Sequence, residues 1–170
     1  HKRLSARGKR PVRERVFHFL DPDSPFLEIS GLAAYKSEYP IGGGAFAGIG
    51  VSSGIECVIF ANDPTVLAGA MHFYSVKKWM RCMQIARDCR IPFIQFVESA
   101  GGDLRPRAGA AVGGMGHFAE SGRQFYEITE LSKLNIPTVT VAFGTATAGG
   151  AYQPGMSDYN IFVKNQADVA

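Results

Sequence analysis

Cysteine is scarce in this 170-residue chain, and Cys57, Cys82 and Cys89 form an odd set with no C-x-x-C spacing. That argues against a disulfide framework and against a structural zinc site, and fits a reducing compartment. No apolar run approaches the roughly 20 residues that a membrane helix needs, and the start lacks the apolar stretch of a secretory signal. The expectation is a soluble protein. The phosphate-loop spacing G-x-x-x-x-G-K-[ST] is absent, and Gly48-Ile49-Gly50 lacks the strand-loop-helix context of a dinucleotide fingerprint. His18, His72 and His117 are scattered and read as surface or capping residues, so no metal site is indicated.

What the chain does hold is an uneven charge and an uneven scatter of glycine. Residues 1–15 carry Lys2, Arg3, Arg7, Lys9, Arg10, Arg13 and Arg15 against one acid, Glu14, whereas the remainder is mildly acidic around a net charge of +3. Such a head reads as a solvated arm in preference to a nucleic-acid patch. The 20 glycines cluster in apparent loops, where backbone must turn sharply or come close to something.

Pro11 can open a helix that buries Val12, Val16 and Leu20 and stops at Asp21-Pro22. Pro25 to Ser30 reads as a short strand. Ala45–Val51 and Ile55–Ala61 flank Ser52-Ser53-Gly54 as a hairpin. Beyond it, strand alternates with helix. Ser75 can cap a helix that repeats Val76, Trp79 or Met80, Met83 and Ala86 at helical spacing and ends before Pro92. Pro92 to Val97 is a continuous apolar run, the pattern of a strand covered on both faces. A glycine-rich loop over residues 98–116 leads to a helix from about His117 to Leu134, with Phe118, Phe125 and Ile128 facing inward. Ile136 to Phe143 is the next buried strand, Gly144 to Gly150 a loop opening a short helix, and Tyr159 to Val163 a last strand. The fold class is α/β, with a mostly parallel sheet and flanking helices.

Ligands in such sheets bind beyond the carboxyl ends of the strands. Those ends carry Ser99-Ala100-Gly101-Gly102-Asp103 and Thr147-Ala148-Gly149-Gly150-Ala151. Both segments can aim N–H groups at one ligand oxygen, the anatomy of an oxyanion hole, although glycine loops after strands also serve as plain tight turns. Asp63 and Glu98 sit at strand ends but read as caps or ion-pair members. Ser99 lacks a nucleophile-elbow context and reads as a loop hydroxyl.

Taken together, Arg13-Glu14-Arg15-Val16, Leu20-Asp21-Pro22-Asp23-Ser24-Pro25-Phe26-Leu27-Glu28, Ala61-Asn62-Asp63-Pro64-Thr65-Val66, Ser75-Val76-Lys77-Lys78 and the two glycine loops resemble, in order, the carboxyltransferase subunits of biotin-dependent acyl-CoA carboxylases. The branch they look like includes methylcrotonyl-CoA carboxylase. The resemblance implies the crotonase superfamily, with its spiral of ββα units. It also implies transfer of a carboxyl group from carboxybiotin to an acyl-CoA enolate. By resemblance, Gly149 and Gly150 give the catalytic amides, and Ser99, Ala100, Gly101, Gly102, Ala148 and Tyr152 bind acyl-CoA. The same likeness implies biotin on a partner carrier, a biotin carboxylase partner, a homo-oligomer of this subunit, and a bacterial cytoplasm or mitochondrial matrix. It implies neither nucleic acid nor membrane as a partner. Residues 1–45 are expected to form an arm, helix and short strand, and 46–170 the first part of a crotonase-like domain, inactive without the rest. Two other readings remain: a non-catalytic assembly subunit of the same fold, and a Clp-type serine peptidase, which Ala148 disfavours by standing where that nucleophile would be.

Overall fold

The computed structural model describes residues 8–105 and 118–170, together with Leu4 and Ala6. Helix α1 (Val12–Phe19) follows Pro11, whose missing N–H costs a helix start nothing, and it buries Val12 and Val16. Strand β1 is only Leu27–Glu28. The longer strand expected over 25–30 does not form, because Pro25 offers no N–H and Ser30 turns into the left-handed region at φ 52°. Strands β2 (Ala45–Ser52) and β3 (Ile55–Asn62) pair antiparallel through Ser52 opposite Ile55. Their two-residue turn has Ser53 at φ 53° and Gly54 at φ 75°, positive at both positions, as a type I′ hairpin requires.

Helix α2 (Phe73–Cys89) then crosses to β4 (Phe93–Ser99), and α3 (Phe118–Lys133) crosses to β5 (Thr138–Ala146). His72, not Ser75, occupies the cap of α2. Ser75 lies three residues in, where its Oγ accepts the His72 N–H at 2.7 Å. Arg90 ends the helix in the left-handed region before Pro92. After β5 come a 3-10 turn at Ala148–Gly150, a four-residue helix α4 (Tyr152–Gly155), β6 (Tyr159–Phe162) and β7 (Asp168–Val169). Strand order is β1-β2-β3-β4-β5-β6, parallel from β3 onward, with β7 also on β5. Gly144, expected in a loop, lies inside β5. Residues 106–117, including most of the expected glycine-rich loop and His117, and the side chain of Phe118 lie outside the described residues.

Alternation along the strands sends Val58, Phe60 and Phe93 to one face, where Val76, Trp79, Met83, Ala86, Ile128 and Leu131 cover them. Ile59, Ala61, Ile94 and Phe96 face the other way, against Val12 and Val16 of α1 and Leu20 just beyond it. Fully burying a side chain such as Phe60 or Met83 stabilises by roughly 1.5–3 kcal/mol. Gly48 and Gly50 belong to this second core and to no nucleotide loop. A Cβ at Gly48 would stand 2.2 Å from Phe26 Cζ, and one at Gly50 2.5 Å from Leu20 Cδ2. A polar thread also runs through the interior: Trp79 Nε1–H donates to buried Gln95 Oε1 at 2.9 Å, and Gln95 Nε2 donates to Thr140 Oγ1 at 3.3 Å.

Candidate functional site

The basic arm reaches the carboxyl end of β4. Arg15 Nη1 donates to Glu98 Oε2 at 2.7 Å and Lys9 Nζ to Glu98 Oε1, while Arg13 makes a two-pronged pair with Glu28. Part of the head is therefore an anchor and not free charge. Asp63 holds a turn by accepting the Thr65 N–H at 2.9 Å. Neither acid stands ready as a general base.

The two glycine loops lie against each other. Ser99 pairs with Ala146, and Thr147 N–H donates to Ser99 O at 3.0 Å. Gly101 has φ 90°, and a Cβ there would stand 3.0 Å from Thr147 O. A Cβ at Gly150 would stand 3.1 Å from the Ser99 Cβ. Close backbone approach is the reason for glycine at both places. Ser99 is buried, and its Oγ accepts the Gly101 N–H at 3.2 Å, as a loop hydroxyl does.

Most amides of the two loops are in use. Ala100 donates to Ala68 O, Ala148 to Ala170 O, and Gly150 to Thr147 O at 2.9 Å within the 3-10 turn. Two are not. Gly149 N–H and Gly102 N–H donate to no group among the described residues. Gly102 forms a parallel bridge with Met71 in which Gly101 O accepts from Met71 N–H and Asp103 N–H donates to Met71 O. In that pattern the central residue's own N–H turns away from its partner. Gly149 opens onto space, since the nearest heavy atom to a Cβ placed there is Phe125 Cζ at 4.0 Å. Phe125 in turn contacts the ring of Tyr152 at 4.7 Å, and Tyr152 is half exposed. Ala148, just before Gly149, holds φ 50° without being glycine, a strained conformation of the kind that concentrates at functional sites.

A group the sequence reading left without a role supports the first loop. Asp103 is 4% exposed, and its carboxylate accepts from Tyr39 Oη at 2.9 Å and from Arg105 Nε and Nη2 at 2.8 and 2.9 Å. The Arg105 hydrogen bonds hold its pKa down at about 2, with Tyr39 adding to them against the cost of burial. Burial, reinforced by Asp103, pushes the Tyr39 hydroxyl well above its usual range. The Tyr39 ring stacks on His72 at 3.7 Å, and burial lowers the His72 pKa to about 4. His72 is thus a buried cap rather than a surface residue. The only sequence signal was an acid set directly after two glycines; contacts spanning 64 residues leave no local pattern.

A family model described as the carboxyl transferase domain matches residues 3–170. The chain belongs to this family. Among carboxyl transferase relatives, the probable biotin-dependent acyl-coenzyme A carboxylase beta2 subunit of Mycobacterium tuberculosis is 45% identical over 98% of the chain and 30% of its own length. The probable mitochondrial methylcrotonoyl-CoA carboxylase beta chain of Drosophila melanogaster is 42% identical over 98% of the chain and 29% of its own length. The geranyl-CoA carboxylase beta subunit of P. aeruginosa superposes with a TM-score of 0.88 at 39% identity, over 99% of the chain and 31% of that subunit. A transcarboxylase 12S structure, 24% identical with a TM-score of 0.85 over 99% of the chain and 32% of its own, shares the fold. The architecture is thus the crotonase-like α/β fold of the carboxyltransferases. The chain spans about 30% of the length of these relatives.

Among the described residues, no group of three metal-ligating side chains occurs and no helix is long and apolar enough to cross a membrane. The three cysteines are free, with Cys57 and Cys82 buried.

Proposed function

We propose that this chain is the acyl-CoA-gripping part of a biotin-dependent carboxyltransferase, in which the glycine loops hold the thioester oxygen as an enolate forms. The observation that carries the reading is the pair of amides, Gly149 and Gly102, that donate to no group among the described residues, in two loops that touch at the carboxyl ends of β4 and β5. An amide aimed at developing charge in a water-poor site stabilises a transition state by about 3–4 kcal/mol, so two of them supply much of the barrier reduction without an ionisable side chain. Of the expected catalytic pair, Gly149 is the better donor. Gly150 spends its N–H on Thr147 O and contributes through its lack of a Cβ, which lets Ser99 close on the turn.

The remaining residues have supporting roles. Gly101 lets the loops meet, Ser99 and Ala100 fix the first loop by hydrogen bonds, Ala148 sets the turn that frees Gly149, and Tyr152 with Phe125 walls the approach. Carboxybiotin, carried by a partner protein, is the co-substrate that supplies the carboxyl group. A biotin carboxylase with its carrier and further copies of this subunit are the partners that fit, in a bacterial cytoplasm or a mitochondrial matrix. The names of the relatives support this, one being a probable biotin-dependent acyl-coenzyme A carboxylase beta2 subunit and another a probable mitochondrial methylcrotonoyl-CoA carboxylase beta chain.

The test is carboxylation of a panel of acyl-CoAs, from acetyl to methylcrotonyl and geranyl, by the complete subunit with its biotin partner. Turnover of at least one member is expected. Acyl-CoA binding without carboxylation of any member would favour the assembly-subunit reading, and no binding at all would end the proposal.

A further inference from the structure

Asp103 is a buried acid that joins three separated parts of the chain: the Tyr39 turn, the Met71-His72 segment ahead of α2, and the loop after β4. Tyr39 and Asp103 are both at most 5% exposed. Tyr39 Oη reaches Asp103 Oδ2 at 2.9 Å, and Asp103 N–H reaches Met71 O at 2.8 Å. Arg105 closes on the same carboxylate from the solvent side, with its own N–H also on Oδ1 at 3.2 Å. The Tyr39 ring is fixed in turn by stacking on His72, which caps α2. Gly102 stands between two clamped residues: Gly101 O accepts from Met71, and Asp103 is tied at both its amide and its carboxylate. A glycine cannot hold its own N–H vector. Its neighbours must.

From this juxtaposition we infer that Asp103 and Tyr39 are positioning residues for the Gly102 amide, setting the direction in which that donor points at the substrate oxygen. The inference rests on the proposed enolate-holding role of the glycine loops. Neither side chain touches substrate. The carboxylate holds the residue that follows Gly102, the tyrosine holds the carboxylate, and the donor vector is fixed by that chain of contacts. An amide displaced by a fraction of an ångström still binds a neutral thioester in the ground state but loses much of its grip on the charged enolate. The predicted signature is therefore a loss in kcat at nearly constant KM.

The experiment compares Tyr39→Phe, Asp103→Asn and Arg105→Gln in the full-length subunit with its biotin partner, measuring kcat, KM for acyl-CoA, calorimetric acyl-CoA affinity and the melting midpoint. Tyr39→Phe keeps the stack on His72 and removes only the hydroxyl. Asp103→Asn keeps an acceptor for Tyr39 and removes the charge that holds Arg105. Each is expected to lower kcat by about 10- to 100-fold, with KM and acyl-CoA affinity within about threefold of wild type. Arg105→Gln, on the exposed side, is expected to give a smaller loss in the same parameter. If Tyr39→Phe and Asp103→Asn fold and turn over like wild type, the inference is wrong while the enolate reading stands. If their losses appear equally in KM and affinity, or only in step with a lowered melting midpoint, the residues are structural and the inference also fails. A wild-type subunit that binds no acyl-CoA would remove the foundation itself.

Discussion

Gly144 faces the side chain of Glu98 so closely that a Cβ at residue 144 would lie 2.6 Å from Glu98 Cγ. Gly144 lies within β5, opposite the end of β4, and the missing side chain is what allows Glu98 to fold over the sheet towards Arg15 and Lys9. The basic arm is anchored to the sheet end that carries both glycine loops, so the fit of one glycine bears on the geometry of the site.

Gly144→Ala should therefore expel Glu98 from its place and leave Arg15, whose side chain is 5% exposed, without its carboxylate. Overpacking of this kind costs about 1–3 kcal/mol, and an unpaired buried charge adds to it. Denaturant titration of the subunit should show a lower midpoint for Gly144→Ala than for Gly155→Ala, where a Cβ meets open space. Equal midpoints would remove the role given to Gly144.

Gly54 and Gly69 have nearly the same φ, 75° and 73°, and differ in what surrounds them. Nothing lies within 4 Å of a Cβ at Gly54, whereas one at Gly69 would overlap the carbonyl oxygen of Glu98. Gly54→Ala should cost only the roughly 1–2 kcal/mol of left-handed backbone. Gly69→Ala must also push apart the end of β4, and it should abolish soluble folded subunit or shift the loop after Ser99. Expression yield and thermal melting of the two variants would separate strain from overlap.

Stability should also depend on pH through His72. Its imidazole is fully buried, both ring nitrogens lack a partner among the described residues, and burial holds its pKa at about 4 against 6.5 for the unfolded chain. The unfolded state binds the proton more readily, so this contribution is complete above pH 6.5 and is lost as pH falls from 6.5 towards 4, by on the order of 3 kcal/mol. Asp103 acts at lower pH: its depressed pKa gives stability that is present above 3.8 and lost as pH falls towards 2. His72→Phe, which keeps a ring against Tyr39, should flatten the unfolding profile between pH 6.5 and 4. A profile as steep as that of wild type would place the proton elsewhere.

Much of this organisation was legible in local pattern. The Ser53-Gly54 turn, the apolar run of β4 and the 3.6-residue repeat of α2 each depend on neighbours in sequence, and each appears where the pattern puts it. The two glycine loops could also be placed, because glycine after a parallel strand marks the ligand end of the sheet. The cap of α2 differs from the pattern: Ser75 is a good capping residue, but it stands three residues in and accepts the N–H of His72, the cap, whose ring stacks on Tyr39 from a distant turn. Gly144 read as loop because nothing local reveals that Glu98, 46 residues earlier, needs its space. Which amide of the second loop has no partner among the described residues was equally hidden, since it depends on the 3-10 bond from Gly150 to Thr147.

The most direct test of the central claim is kcat/KM for acyl-CoA carboxylation by full-length Gly149→Ala with its biotin partner, read beside its melting midpoint. The added methyl meets no heavy atom closer than 4.0 Å, so the fold should be undisturbed. On the proposed reading it crowds the oxygen's approach to the Gly149 N–H, so kcat/KM should fall by about 100-fold or more, the scale of losing one oxyanion donor. Wild-type kcat/KM in a fully folded Gly149→Ala subunit would contradict the account.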